Sequence, residues 1–319
     1  MARTCFVHIG THKTGTTSLQ ALLGLNEDLF EQYGLYIPKT CRIAPEFGSH
    51  HNLAWELNSD PRFNPSRGTF SELLAEIDSI RPPSACLSSE DFEYLHRKPG
   101  AIRFLRDGLA KLGYVCQIIV YLRPQADYSE SLYAELVKHG LALPFPTFLG
   151  NILAHGSVTH RDIWTFTFDY SELLAPFTGV VGAHQLTVRN YPAQSDNRAL
   201  LHDFLVTVAS HATGLLPNLR YPERLNSSND WADVIRRYCA NALQVQDNYD
   251  LSHGAPPSPS ESAGMPSRVQ RLTLADLVQI QLRFRRPNRR VRSIFGISIS
   301  AVSAERTLAA QIMDARLVE

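Results

Sequence analysis

Apolar residues recur along the first two thirds of the chain in two alternating rhythms. Short apolar runs at 4–9, 85–88, 115–122 and 185–190 predict strands. Between them, helical spacing predicts helices near 16–31, 70–80, 99–112, 125–139 and 169–176, with a further one near 197–212. Strands and helices alternating in this order predict an α/β fold built on a central parallel β-sheet flanked by helices. Past residue 213 the pattern loosens into segments punctuated by glycine and proline. Residues 254–266 are rich in Pro, Ser and Gly and read as a surface loop, and helical spacing resumes near 273–285. The chain has no internal repeat and no coiled-coil pattern.

Composition narrows the class. With 319 residues and 44% hydrophobic content the chain can bury a full core, so it reads as one domain over 1–319, with 213–319 as a less regular helical portion. The 31 basic and 31 acidic residues cancel, which argues against nucleic acid as a partner. Met1-Ala2-Arg3 lead straight into the first predicted strand, and no stretch approaches about 18 uninterrupted apolar residues. The expectation is a cytoplasmic protein with neither signal peptide nor transmembrane segment. Cys5, Cys41, Cys86, Cys116 and Cys239 show no paired metal spacing and read as buried reduced thiols; no metal is expected.

Candidate chemistry begins where the first predicted strand ends. His8-Ile9-Gly10-Thr11-His12-Lys13-Thr14-Gly15-Thr16-Thr17 is a glycine- and hydroxyl-rich loop opening onto a helix, the form of a phosphate cradle. Gly10-x4-Gly15 has the Walker A spacing, but Thr16-Thr17 replace the Lys-Ser/Thr pair and the lysine stands upstream at Lys13. That displacement disfavours a nucleoside triphosphatase. Lys13 is one of five lysines among the 31 basic residues. A compact ammonium can donate to a single leaving oxygen in a way a planar guanidinium does not.

Two further features fall at strand ends. Run 115–122 leads into Arg123; Pro124 stands where a helix can begin, and Ser131 falls about two turns into it, on the side near its start. A guanidinium and a hydroxyl so placed can grip one phosphate. Cys86-Leu87-Ser88-Ser89-Glu90 places Glu90 where another strand runs out, and a half-buried carboxyl there is expected to have a raised pKa suited to a general base. His51, in Gly48-Ser49-His50-His51-Asn52, is the second candidate base. A purely structural reading stays open at both: Ser89, Glu90 and Asp91 can cap the next helix, and 49–52 can be a helix start. Open α/β sheets bind ligands outside the carboxyl ends of their strands, where the loop, Arg123 and Glu90 all fall.

His12-Lys13-Thr14-Gly15-Thr16-Thr17-Ser18 resembles the 5′-phosphosulfate loop of sulfotransferases that use 3′-phosphoadenosine 5′-phosphosulfate, and the string through Leu19-Gln20 resembles the bacterial branch. Ile118-Ile119-Val120-Tyr121-Leu122-Arg123, followed by Pro124 to Ser131, resembles the segment that holds the donor's 3′-phosphate in that family. The resemblance spans roughly 4–210 and implies a three-layer, P-loop-like fold, that donor as co-substrate without a metal, and an alcohol-bearing acceptor such as a saccharide or glycolipid. It implies that His12, Lys13, Thr14, Gly15, Thr16, Thr17 and Ser18 hold the 5′-phosphosulfate, with Lys13 at the leaving oxygen, and that Arg123 and Ser131 hold the 3′-phosphate. The base it implies is a glutamate, as in carbohydrate-type members, or a histidine, as in cytosolic animal members, hence Glu90 or His51. Arg224-Leu225-Asn226-Ser227-Ser228 resembles a late Arg-x-Asn-x-Ser run of bacterial members, whereas the family's late Arg-Lys-Gly motif is not found. Acceptor specificity is expected in 36–70 and 140–165.

Two other classes fit the loop: a P-loop kinase or nucleotidase, which would depend on magnesium, and a non-catalytic protein that binds a nucleotide or sulfated glycan. The six arginines within 283–292 read either as a patch for an anionic polysaccharide or as a solvated helix end. The solvated end is favoured, because Pro287 is expected to interrupt the segment and arginine is the chain's default base.

Overall fold

The computed structural model describes residues 3–44, 46–161, 163–192, 197–209, 216–222, 231–253 and 272–302. The chain groups into two compact units, one of 1–123, 170–226 and 287–299, the other of 124–169, 227–286 and 300–319. The strands are β1 (Arg3–His8), β2 (Leu35–Tyr36), β3 (Ser84–Ser88), β4 (Tyr114–Leu122), β5 (Ser157–His160), β6 (Trp164–Thr167) and β7 (Leu186–Asn190). The helices are α1 (Thr16–Leu25), α2 (Glu27–Gln32), α3 (His51–Asn58), α4 (Phe70–Ile80), α5 (Pro99–Lys111), α6 (Gln125–Lys138), α7 (Phe145–His155), α8 (Tyr170–Val181), α9 (Asn197–Val208), α10 (Trp231–His253) and α11 (Leu274–Phe295).

In the first unit the sheet order is β2-β3-β1-β4-β7, and every neighbouring pair is parallel. The two-residue period of the strands sorts their side chains onto two cores. Cys5, Val7, Ala85, Leu87, Ile118, Val120 and Leu122 pack with α3, α4, α5 and α8 on one face. Cys86, Ile119 and Tyr121 pack with α1, α2 and α9 on the other. Both faces are covered, which is why these strands are apolar runs rather than alternating ones. The expected α/β fold is present, with three layers in this unit.

Hydrogen bonding continues past the strands and levels their carboxyl ends. Ile9 donates to the Ile119 carbonyl (3.0 Å), Ser89 to that of His8 (3.1 Å) and Tyr191 to that of Leu122 (2.8 Å). The loop after β1, the 3₁₀ turn Glu90–Arg97 after β3, Arg123 and Tyr191 therefore share one edge of the sheet.

The second unit, by itself, contains α6, α7, α10 and the antiparallel β5–β6 hairpin. Tyr133 packs its ring on Phe145 (5.0 Å between centroids), Phe148 (5.3 Å) and Trp231 (6.5 Å). The Asn241 side chain donates to the carbonyls of Val137 and Leu141, closing the end of α6.

Several elements differ from expectation. The helix expected over 16–31 is divided at Asn26, whose amide donates to the carbonyls of Leu22 (2.9 Å) and Arg220 (2.8 Å) and so competes with continued helix. Pro287 does not interrupt the arginine-rich segment. α11 runs through it to Phe295, because Ile280, Phe284, Pro287, Asn288 and Val291 form one buried stripe whose burial outweighs the missing backbone donor. The segment past 213, read as loose, contains the 23 residues of α10. β2, α7 and the β5–β6 hairpin were not among the predicted elements. Residues 210–212, 224–228 and 254–266 lie outside the described residues. Among those described, no helix is long and apolar enough to cross a membrane.

Candidate active site

The loop after β1 is shaped by backbone conformations that most side chains disfavour. Gly10, Lys13 and Gly15 all have positive φ, 88°, 62° and 75°. Gly15 caps α1 in a left-handed conformation, and a Cβ there would fall 2.5 Å from Leu200 Cδ2. At Gly10 a Cβ would fall 2.9 Å from the Cα of Glu90, so this glycine lets the loop lie directly against the turn after β3. Thr14 is fully buried and donates through Oγ1 to the Thr11 carbonyl, while Thr16 and Thr17 open α1, at the helix end that attracts anions.

Arg123 is buried at the end of β4 and reaches back to the loop. Its Nη1 donates to the Lys13 carbonyl at 3.0 Å, its own carbonyl accepts from the Tyr170 hydroxyl, and its guanidinium lies 5.4 Å from the centre of the Tyr191 ring. A cation at a strand end thus fixes the backbone of the residue that carries the loop's ammonium. Ser131 is half-buried on α6, in the second unit.

The turn after β3 brings three carboxyls together, Glu90, Asp91 and Glu93. Ser89 caps it, accepting from the Asp91 N–H at 3.1 Å, as the structural reading of 89–91 expects. Glu90 Oε2 accepts from the Gln20 amide (2.9 Å) and lies 3.8 Å from His51 Nε2. His51 is the first residue of α3, and its Nδ1 lies 2.8 Å from the Ser89 hydroxyl and 3.8 Å from Asp91 Oδ2. Asp91 also accepts from the Trp55 indole and lies 3.4 Å from Arg62, whose guanidinium covers the Trp55 ring at 4.7 Å. Glu93, 2% exposed, takes the Nδ1–H of His12 at 2.8 Å on one oxygen and its backbone N–H at 3.2 Å on the other.

Charge states follow from these contacts. Burial alone would raise the Glu90 carboxyl, but His51 and His12 beside it hold it below its ordinary value. This corrects the expectation of a raised pKa: Glu90 is an ionised carboxylate at neutral pH. Burial likewise opposes charging of His12, and Glu93 and Asp91 overcome it, pushing the ring up to about 10. Asp91 is held well below the usual carboxylate range against its burial, by His12, His51 and Arg62.

Of the residues singled out in the sequence, His12 through Ser18, Glu90, His51 and Arg123 belong to the first unit. There the loop meets the turn through Gly10 and His12, Glu90 lies beside His51, and Arg123 holds the Lys13 carbonyl. Sequence reasoning missed Asp91 and Glu93 as partners of His12, and Trp55, Arg62, Gln20 and Tyr191. The run Glu90-Asp91-Phe92-Glu93 was a legible signal, since three acids in four residues after a strand need cations. The positions of Trp55, Gln20 and Tyr191 had none. Among the described residues, no group of three or more His, Cys, Asp or Glu side chains is arranged to hold a metal ion.

No protein-family model matches the chain, and no curated protein matches it in sequence. Among solved structures the chain is similar to a sulfotransferase from Alicyclobacillus acidocaldarius, at 17% sequence identity and a TM-score of 0.40, over 81% of this chain and 98% of that one. A likeness of that size carries no functional information by itself, and the chemistry rests on the loop, the turn and Arg123.

Proposed function

We propose that the chain is a sulfotransferase that moves the sulfuryl group of 3′-phosphoadenosine 5′-phosphosulfate to a hydroxyl of an acceptor. The observation that carries this reading is an anion-cradling loop bearing Lys13, tied to Arg123 and pressed through Gly10 against the ionised Glu90. The acceptor oxygen attacks sulfur in line and its proton passes to Glu90. The bond between sulfur and the bridging oxygen breaks, leaving a sulfate ester and 3′-phosphoadenosine 5′-phosphate. Charge grows on that bridging oxygen, where the Lys13 ammonium stabilises it, and the N-terminal turn of α1 with Thr16 and Thr17 holds the 5′-phosphate and sulfonate. Arg123 is assigned to the 3′-phosphate. His51, next to Glu90, serves as the alternative base or as an acceptor contact. A glutamate base favours an acceptor of saccharide or glycolipid type, and the scheme needs no metal.

The test is isothermal titration without magnesium against 3′-phosphoadenosine 5′-phosphate, ADP and ATP. Micromolar binding of the 3′,5′-diphosphate with weak ADP and ATP is the expected result, and preference for ATP with magnesium overturns the reading in favour of a kinase. Lys13→Ala and Arg123→Ala are each expected to weaken binding or transfer at least tenfold, about 1.4 kcal/mol.

A further inference from the structure

The turn after β3 carries more carboxylate than the transfer scheme uses. Glu90 is its base, but Asp91 and Glu93 are buried and have no part in moving the sulfuryl group or the proton. Glu93 directs both oxygens at one residue, His12: one at the ring Nδ1 and one at the backbone N–H. The other ring nitrogen, Nε2, faces Asp91 Oδ1 at 3.4 Å and the Tyr94 hydroxyl at 3.4 Å. A neutral imidazole has one N–H and one lone pair, and would turn that lone pair on one of the two carboxylates. The Tyr94 hydroxyl can donate to a lone pair on Nε2, but Asp91 Oδ1 would still face that lone pair at 3.4 Å; only an imidazolium offers an N–H to both carboxylates. The same requirement follows from Glu93 itself, because a carboxylate 2% exposed needs a cation and hydrogen bonds to offset its lost hydration.

We propose that Glu93 is a positioning residue for the transfer: it clamps His12 as an imidazolium, fixing the loop just ahead of Lys13 and keeping Glu90 ionised as the base. This deepens the sulfotransferase reading and in its second half rests on it. The clamp acts through the loop backbone at residue 12 and through charge. His12 is one of the two histidines beside the Glu90 carboxyl that lower it, and it stands next to Lys13, whose carbonyl Arg123 holds. The groups that set the state of the ring are Glu93, Asp91, Tyr94 and Glu90 from the turn. His51 and Arg62 reach it through Asp91, and Lys13 is its neighbour in the loop.

The clamp is tested on the full chain by long-range ¹H–¹⁵N correlation of the imidazoles between pH 5 and 10, in the unmodified protein and in Glu93→Gln. The glutamine keeps the shape but offers Nδ1 an amide donor, so His12 can go neutral. Expected in the unmodified chain are two protonated His12 nitrogens through pH 8. In the variant the ring should lose about a thousandfold in proton affinity, enough to leave it largely neutral at pH 8. Titration against 3′-phosphoadenosine 5′-phosphate then reads the consequence. Glu93→Gln should bind at least tenfold more weakly at pH 8 but recover most of the loss at pH 5.5, where His12 is protonated again. A neutral His12 at pH 7.5 in the unmodified protein overturns the clamp, and this measurement stands even if the variant does not fold. An equal loss at both pH values overturns the charge role and leaves Glu93 structural. If the unmodified chain does not bind the diphosphate, the transfer reading falls with Glu93's part in it, while the imidazole titration still decides the clamp.

Discussion

Three histidines of the first unit, His8 and His50 buried and His12 partly so, differ in charge state because their partners differ. His50 accepts from the Ser88 N–H (3.2 Å) and donates to the Pro38 carbonyl (2.9 Å), the pattern of a neutral ring, and burial together with Arg42 presses it down to about 3. His8 is fully buried beside Ser88, and burial holds it at about 4 against the pull of Glu90. His12, with carboxylates on both ring nitrogens, goes the opposite way. Gly10 matters as much as any of them. Its φ of 88° and the 2.9 Å approach of a hypothetical Cβ to the Glu90 backbone predict that Gly10→Ala costs about 2–3 kcal/mol, read as a lower denaturant midpoint, and displaces the base. Trp55→Phe should cost about 1–2 kcal/mol by leaving an oxygen of buried Asp91 without its indole donor, which the same denaturation series measures.

Two helices show how burial decides what local sequence leaves open. Thr69 and Glu72 cap α4 reciprocally, a signature readable from their spacing, and Phe70, Leu73 and Ile77 bury its inner face. Thr69→Ala is expected to cost about 1 kcal/mol in a chemical denaturation curve. α11 carries its arginines on the side away from its buried stripe: Arg285, Arg286, Arg289, Arg290 and Arg292 are exposed, while Phe284 is fully buried against Phe168. Replacing Arg285 and Arg289 by Gln should change stability by less than about 0.5 kcal/mol each, whereas Phe284→Ala should remove about 3–5 kcal/mol. A large effect of the arginine pair on the binding of an anionic polysaccharide would instead revive the anionic-patch reading of this segment.

Across the whole molecule the titrating groups combine into a stability optimum. His8 and His50 have folded pKa values below the ordinary 6.5, so the unfolded chain binds more protons below that pH and stability falls as pH drops toward 4. Burial also lowers His96 and His160, which steepens the same limb. His12 has a folded value above 6.5, so its contribution is complete below 6.5 and is lost as pH rises toward 10. Between pH 4 and 9 the unfolding free energy should therefore peak near 6.5. It should fall by about 1 kcal/mol per unit between pH 7 and 8 and more steeply toward 9, where burial keeps the Cys5, Cys41, Cys86 and Cys116 thiols protonated while the unfolded chain loses those protons. On the acid side it should fall by about 2 kcal/mol per unit, as followed by denaturant titration across pH.

The sequence by itself determined the parallel sheet, because strands covered on both faces must be apolar throughout, and it determined the loop, because glycines and hydroxyls at that spacing have few other uses. It marked Arg123 and Glu90 as strand-end residues, since their place depends only on where apolar runs stop. Only the tertiary structure decided which groups face each other. The sign of the Glu90 shift depends on His51 and His12, distant in sequence from it, and the charge of His12 depends on carboxylates some 80 residues away. The path of α11 through Pro287 was likewise hidden, because a proline's local cost is fixed by its ring whereas the burial that offsets it is supplied by the rest of the fold.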